Sequence, residues 1–146
     1  MFDLATQILG LSGTFTLKDA HGKPIKNEDA VATATILHST HPTHEKAFLA
    51  FGEALRELAP EGNATESALT DEELKENKKA IQATFLTAIT QSIDGIQIRG
   101  EEIGKDKAKI KEVFSEPGLE WFAEQFFIAL RDNSIFLQTQ KKTKKG

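Results

Sequence analysis

Thr70-Asp71-Glu72-Glu73-Leu74-Lys75-Glu76-Asn77-Lys78-Lys79-Ala80-Ile81-Gln82-Ala83-Thr84-Phe85-Leu86-Thr87-Ala88-Ile89 is the stretch whose reading decides the fold. It opens with a capping box, in which the Thr hydroxyl and the Glu carboxylate three residues on satisfy each other's end amides. Leu74, Ile81, Phe85, Ala88 and Ile89 then fall on one face at helical spacing. The acidic run Asp71, Glu72, Glu73 and Glu76 lies in the first turns, where negative charge complements the helix dipole. That reading accounts for these carboxylates without a catalytic pair. The pattern runs toward Ser92, and Asp94-Gly95 supplies a turn that would end the helix.

Upstream, Pro42 suits a first helical turn, with Thr40, His41 or Thr43 able to cap it. Phe48, Phe51, Leu55 and Leu58 form an apolar stripe behind it, and Pro60 and Gly62 stop it. Residues 59–69 read as an exposed loop. Nearer the start, Phe15-Thr16-Leu17-Lys18-Asp19 and Val31–His38 both alternate apolar and polar residues. The turn chemistry of Ala20-His21-Gly22-Lys23-Pro24 lies between them, so the two segments are expected to pair as a hairpin.

Downstream, Ile96-Gln97-Ile98-Arg99 reads as a short strand or an extended link, broken by Gly100 and Gly104. A short helix is expected over Asp106 to Phe114, with Ile110, Val113 and Phe114 inward. After Ser115-Glu116-Pro117-Gly118, a last helix runs from Leu119 to Asp132, followed by Ile135, Phe136 and Leu137. The fold class implied is α+β and mostly helical, an N-terminal β-hairpin followed by about four helices packed in layers. Residues 1–140 form one domain in this reading, and residues 141–146 form a basic disordered tail.

The composition narrows the function. The 146 residues contain no Cys, which excludes disulfides and thiolate metal sites. No apolar stretch approaches the ~20 residues that span a bilayer, and Met1-Phe2-Asp3-Leu4 lacks the basic start of a secretory signal. The expectation is a small soluble domain of a cell interior. The formal charge is -4, but Lys141, Lys142, Lys144 and Lys145 crowd the end, and the remainder carries about -8. An acidic body is a poor match for phosphate backbones, so neither nucleic-acid nor membrane binding is expected.

No phosphate-cradling loop or nucleophile motif is present, so no catalytic residue and no cofactor is assigned. His38, His41 and His44 recur every three residues, and three imidazoles are one form of zinc site. Pro42 interrupts the spacing, and solvated or capping histidines at a helix start, with some pH sensitivity, are the preferred reading. No metal ligand is assigned.

The last helix is the candidate binding element. Leu119, Phe122, Ala123, Phe126 and Leu130 share one face, with Phe127 at its edge. Trp121 and Ile128, seven residues apart, project from the opposite side. A helix apolar on two faces is either sandwiched inside its domain or keeps one face for a partner. Both readings stand at this point. The tentative partner contacts are Trp121, Phe127, Ile128 and Phe136, with the lysine tail as a second charged element.

Taken in order, these features resemble the tail assembly chaperones of long-tailed, siphovirus-type bacteriophages. The resemblance rests on Phe15-Thr16-Leu17-Lys18-Asp19 with its His21-Gly22-Lys23-Pro24 turn, on Phe85–Gly95, on the break Ser115-Glu116-Pro117-Gly118, and on Asn133 followed by Phe136. It covers most of the chain; Ile93, before Asp94-Gly95, departs from an often aromatic position. It implies a non-enzymatic protein of the host cytoplasm, absent from the finished virion. Such a protein binds the tape measure protein, keeps its apolar helices soluble and helps recruit the major tail tube protein. It also implies a longer frameshifted form of the chain as a partner, with Lys144-Lys145-Gly146 compatible with an A-rich slippery site. The alternatives are a structural phage tail or connector subunit and a metal-dependent enzyme built on the histidines.

Overall fold

A computed structural model describes residues 1–4, 8–28, 30–58 and 70–137. The lysine tail and the 59–69 loop lie outside the described residues. The fold is α+β. Strand β1 (Ser12–Thr16) pairs antiparallel with β4 (Thr33–Leu37), so the expected hairpin forms. Between them a small ribbon joins β2 (Lys26–Asn27) to β3 (Ala30–Val31). The intervening turn is held by the Asp19 carboxylate, which accepts the His21 and Lys23 amides. β1 starts earlier than the alternation suggests, and Leu17, just past its end, is fully buried.

Helix α1 (Pro42–Leu58) leads to α2 (Asp71–Ile89), whose start carries the full capping box between Thr70 and Glu73. The helix does not reach Ser92. It stops at Ile89 and passes without a loop into β5 (Thr90–Ile98), which pairs with β4. Two side chains replace the missing turn. The Thr90 hydroxyl donates to Leu86 O at 2.7 Å, and Lys107 Nζ reaches Thr87 O and Thr90 O, each at 2.7 Å. The Leu86 and Thr87 carbonyls at the end of the helix are thereby satisfied. Asp94-Gly95 lies inside β5, at a register shift with Gly95 at φ +83°, and does not end the helix.

Ile96-Gln97-Ile98 is the second half of β5. Arg99 (φ 51°) and Gly100 (φ 83°) turn it back into β6 (Glu101–Gly104). Positive φ at both central residues is the turn that matches strand twist, and Gly at the second position adopts it at little steric cost. The sheet order is β1-β4-β5-β6, all antiparallel. Helices α3 (Lys107–Ser115) and α4 (Glu120–Leu130) follow, and a 3-10 turn over Asn133–Phe136 closes the described chain.

In-register Phe15, Ala34 and Ile93 point to the face that packs on the helices. Phe126 of α4 meets Phe15 edge-on at 5.1 Å and Phe114 of α3 at 4.9 Å. Ile110, Val113 and Phe114 are buried as the α3 pattern predicts. The neighbouring rows carry Thr14, Thr35, Thr16, Thr33 and Asp94 on the opposite, polar face. Gly13 marks a close approach of the chain to the 3-10 turn: a Cβ there would lie 2.5 Å from Ile135 O.

Candidate partner-binding surface

Helix α4 has no side-chain cap at its start, so its position depends on neighbours. The Glu120 carboxylate accepts the Gly118 amide at 3.0 Å and meets Lys79 of α2 at 2.6 Å. The Lys79 ammonium, first among several donors, holds that carboxyl below its usual range. On the other side, the Gln125 amide bonds both the N–H and the C=O of Lys18, each at 2.8 Å. These two anchors set the rotation of the helix.

That rotation divides α4 into three faces. Phe122, Phe126 and Ala129 are buried, with Leu119, Ala123 and Leu130 half-buried beside them. Trp121 is 37 % exposed and packs edge-on against Phe122, and Ile128 is 54 % exposed. Seven residues apart, the two lie about 10 Å from each other along one ridge. Phe127 is half-buried on the far side of the exposed arc, with its ring stacked on Phe85 of α2 at 6.5 Å. It lines a cleft of about 370 Å³ between α2 and α4, floored by Ala83 and Leu86 and rimmed by Lys79, Glu124 and Arg131. Glu124 and Arg131 fall between the Trp121–Ile128 ridge and Phe127 at 100° per residue. The helix thus presents apolar anchors with charged flanks, the usual layout of a contact patch.

Phe136 does not belong to this surface. It is 1 % exposed, its ring centre lies 4.6 Å from that of His38 in an edge-on arrangement, and the Gly10 amide donates to its carbonyl at 2.6 Å. The hydrophobic run after α4 closes the core next to β1, with Ile135 and Leu137 half-buried on either side of Phe136. Of the four expected contact residues, Trp121 and Ile128 lie together on the surface, Phe127 lines a neighbouring cleft, and Phe136 is core.

The histidines build the start of α1. His41 Nδ1 accepts the Thr43 amide at 3.0 Å, which makes His41 the cap. His38 Nδ1 accepts the Thr40 amide at 3.2 Å and lies 3.0 Å from the Thr40 hydroxyl. His44 is buried edge-on to Phe85, and its Nδ1 has no hydrogen-bond partner. Burial holds the His44 imidazole below its ordinary range, reinforced by His38 and His41, and burial alone does the same for His38. Among the described residues no group of three or more His, Asp or Glu side chains is placed to hold a metal ion.

Two exposed features have no counterpart in the sequence reading. On α1, His44, Ala47 and Phe51 turn toward the core, while Phe48 and Leu49 are 57 % and 66 % exposed. Phe48 therefore leaves the predicted buried stripe. The alanines at 47, 50 and 54 were the signal: they face a shallow apolar groove between α1 and α2. No protein-family model, curated protein or solved structure matches the chain. Among the described residues no helix is long and apolar enough to cross a membrane.

Proposed function

We propose that this chain is a non-enzymatic protein-binding domain that acts as a tail assembly chaperone of a long-tailed bacteriophage. In this reading it works in the host cytoplasm and does not remain in the virion. It binds apolar helices of the tape measure protein, keeps them soluble until they are packaged, and helps recruit tail tube subunits. The supporting observation is the second apolar face of α4, where Trp121 and Ile128 stand on the surface of a helix already anchored through Phe122 and Phe126. Large side chains on a rigid helix suit a partner recognised by apolar side chains at helical spacing. A Trp near the middle of such a patch is a common energetic anchor.

The α2–α4 cleft supplies the complementary half of the surface. Its apolar floor accepts side chains from a helix lying along α4, and Lys79, Glu124 and Arg131 fix the helix's position without burying a charge. Co-expression with the phage's tape measure protein tests the reading: a soluble complex is expected with the native chain, and insoluble tape measure protein with Trp121→Asp.

A further inference from the structure

Helix α1 carries a second uncovered surface, on another element than α4. Its inner side is built from His44, Ala47 and Phe51. At 100° per residue, Glu45, Leu49, Gly52 and Arg56 form a seam roughly 140° round the helix from that side. Phe48 and Leu55 edge the seam on one flank, and Lys46, Glu53 and Glu57 edge it on the other. Phe48 and Leu49 have more than half of their surface exposed. The five charged side chains are exposed as well, and none of them is ion-paired among the described residues.

Gly52, in the middle of this seam, has no purpose within the single chain. Glycine weakens a helix interior more than any residue except proline, and close approach of another backbone is a common reason to keep it. Here a Cβ would meet only the far end of a flexible side chain, Arg56 Nη1 at 3.8 Å. The order of charges along the helix is the second observation: Glu45, Lys46, Glu53, Arg56, Glu57. When α1 is reversed against itself about a point near residues 50 and 51, every acid meets a base. Glu45 falls opposite Arg56 of the second copy, and Lys46 falls opposite its Glu53 and Glu57. The apolar groups match in the same register: Phe48 falls opposite Leu55, and Leu49 opposite Gly52. Turned parallel, each charge would face its own kind.

We propose that two copies of this chain associate through α1, packed antiparallel about a two-fold axis with Leu49 of each copy seated on Gly52 of the other. Such an interface uses the same patch twice, so each matched pair occurs twice. Glu45 and Arg56 close the apolar seam at both of its ends. A helix of 17 residues is about 25 Å long. One helix from each copy therefore makes an interface of the small, transient class. The pair forms in a concentration-dependent manner and leaves the α4 face open on both copies.

Sedimentation of the full-length chain over a concentration series tests this. The native chain is expected to pass from monomer to dimer as concentration rises. Glu45→Arg alone and Arg56→Glu alone each set like charges against one another at both ends of the seam, and each should weaken dimerisation several-fold. Mixed in equal amounts, these two variants regain both ion pairs and should form a heterodimer at native strength. Gly52→Gln suits an isolated helix better than glycine but fills the place of Leu49 from the second copy. It should raise the thermal midpoint of the dilute monomer and abolish the dimer. Glu45 and Arg56 are exposed, so the folds are retained, which circular dichroism verifies. Trp121→Asp should dimerise as the native chain does, which separates this proposal from the one made for α4. A native chain that stays monomeric throughout overturns the proposal and leaves the α1 face to a different protein. Single charge variants that dimerise at native strength, or a mixture that does not recover, overturn the antiparallel register. Loss of the dimer in Trp121→Asp also overturns it, because the copies would then meet through α4.

Discussion

Trp121 and Phe136 are both large aromatic side chains of the C-terminal third, and removing them has opposite consequences. Phe136 is 1 % exposed, and its ring fills the space between His38 and β1. Phe136→Ala is expected to destabilise the fold by about 3–5 kcal/mol, measured by urea unfolding. Trp121→Asp places the new carboxylate at the surface and is expected to change stability by less than about 1 kcal/mol in the same assay. A larger loss would make Trp121 a core residue. His44 yields a pH prediction. Burial lowers its folded affinity for protons, and that of His38, so the unfolded chain binds more protons once pH drops below about 6.5. Stability is full above that pH and declines as pH falls toward the lowered folded values. Urea midpoints measured from pH 7.5 to 5 should fall on the acid side, and His44→Leu should flatten the slope. An unchanged slope would mean that His44 is not the titrating group.

The starts of α1, α2 and α3 were legible in the sequence because each carries its own local chemistry. The Thr70–Glu73 box, Asp106 before α3 and Pro42 after a capping residue act within a turn of the chain they begin. Thr70→Ala is expected to cost about 1 kcal/mol, read as a shift of the urea midpoint. The end of α2 was not legible, because what stops it is distant. Lys107 arrives from α3 to take the Thr87 and Thr90 carbonyls, and β4 claims Thr90 and Ser92 as strand neighbours. A helical period over Phe85–Ile89 gives no warning of either. Asp94-Gly95, a turn signal on any local reading, became a register shift once β4 and β6 flanked it. The faces of α4 were legible from spacing alone, but spacing left open which apolar face meets solvent. The Gln125–Lys18 and Glu120–Lys79 contacts resolve that question. Helix α1 is the least secured of the helices: His44 is its one buried side chain, and its main support is α2. Its amides are expected to exchange with deuterium faster than those of α2 and α4, since an element with few buried contacts opens locally. Equal protection across the three helices would contradict this.

At the scale of the whole molecule, the sheet and α2–α4 form one core, and the apolar surface left over is divided among three places. These are the exposed Phe2 and Leu4, the α1–α2 groove, and the α4 ridge with the α2–α4 cleft, the ridge carrying the largest exposed aromatic side chain, Trp121. That leftover face is why partner binding is the reading put forward. The most direct measurement is the fraction of tape measure protein kept soluble on co-expression, compared between the native chain and a full-length Trp121→Asp, Ile128→Asp variant. The variant's circular dichroism and thermal midpoint are checked alongside. The account predicts a soluble complex with the native chain, and tape measure protein lost to the pellet with a variant that stays folded. A folded variant that keeps the tape measure protein soluble at the native level would contradict it.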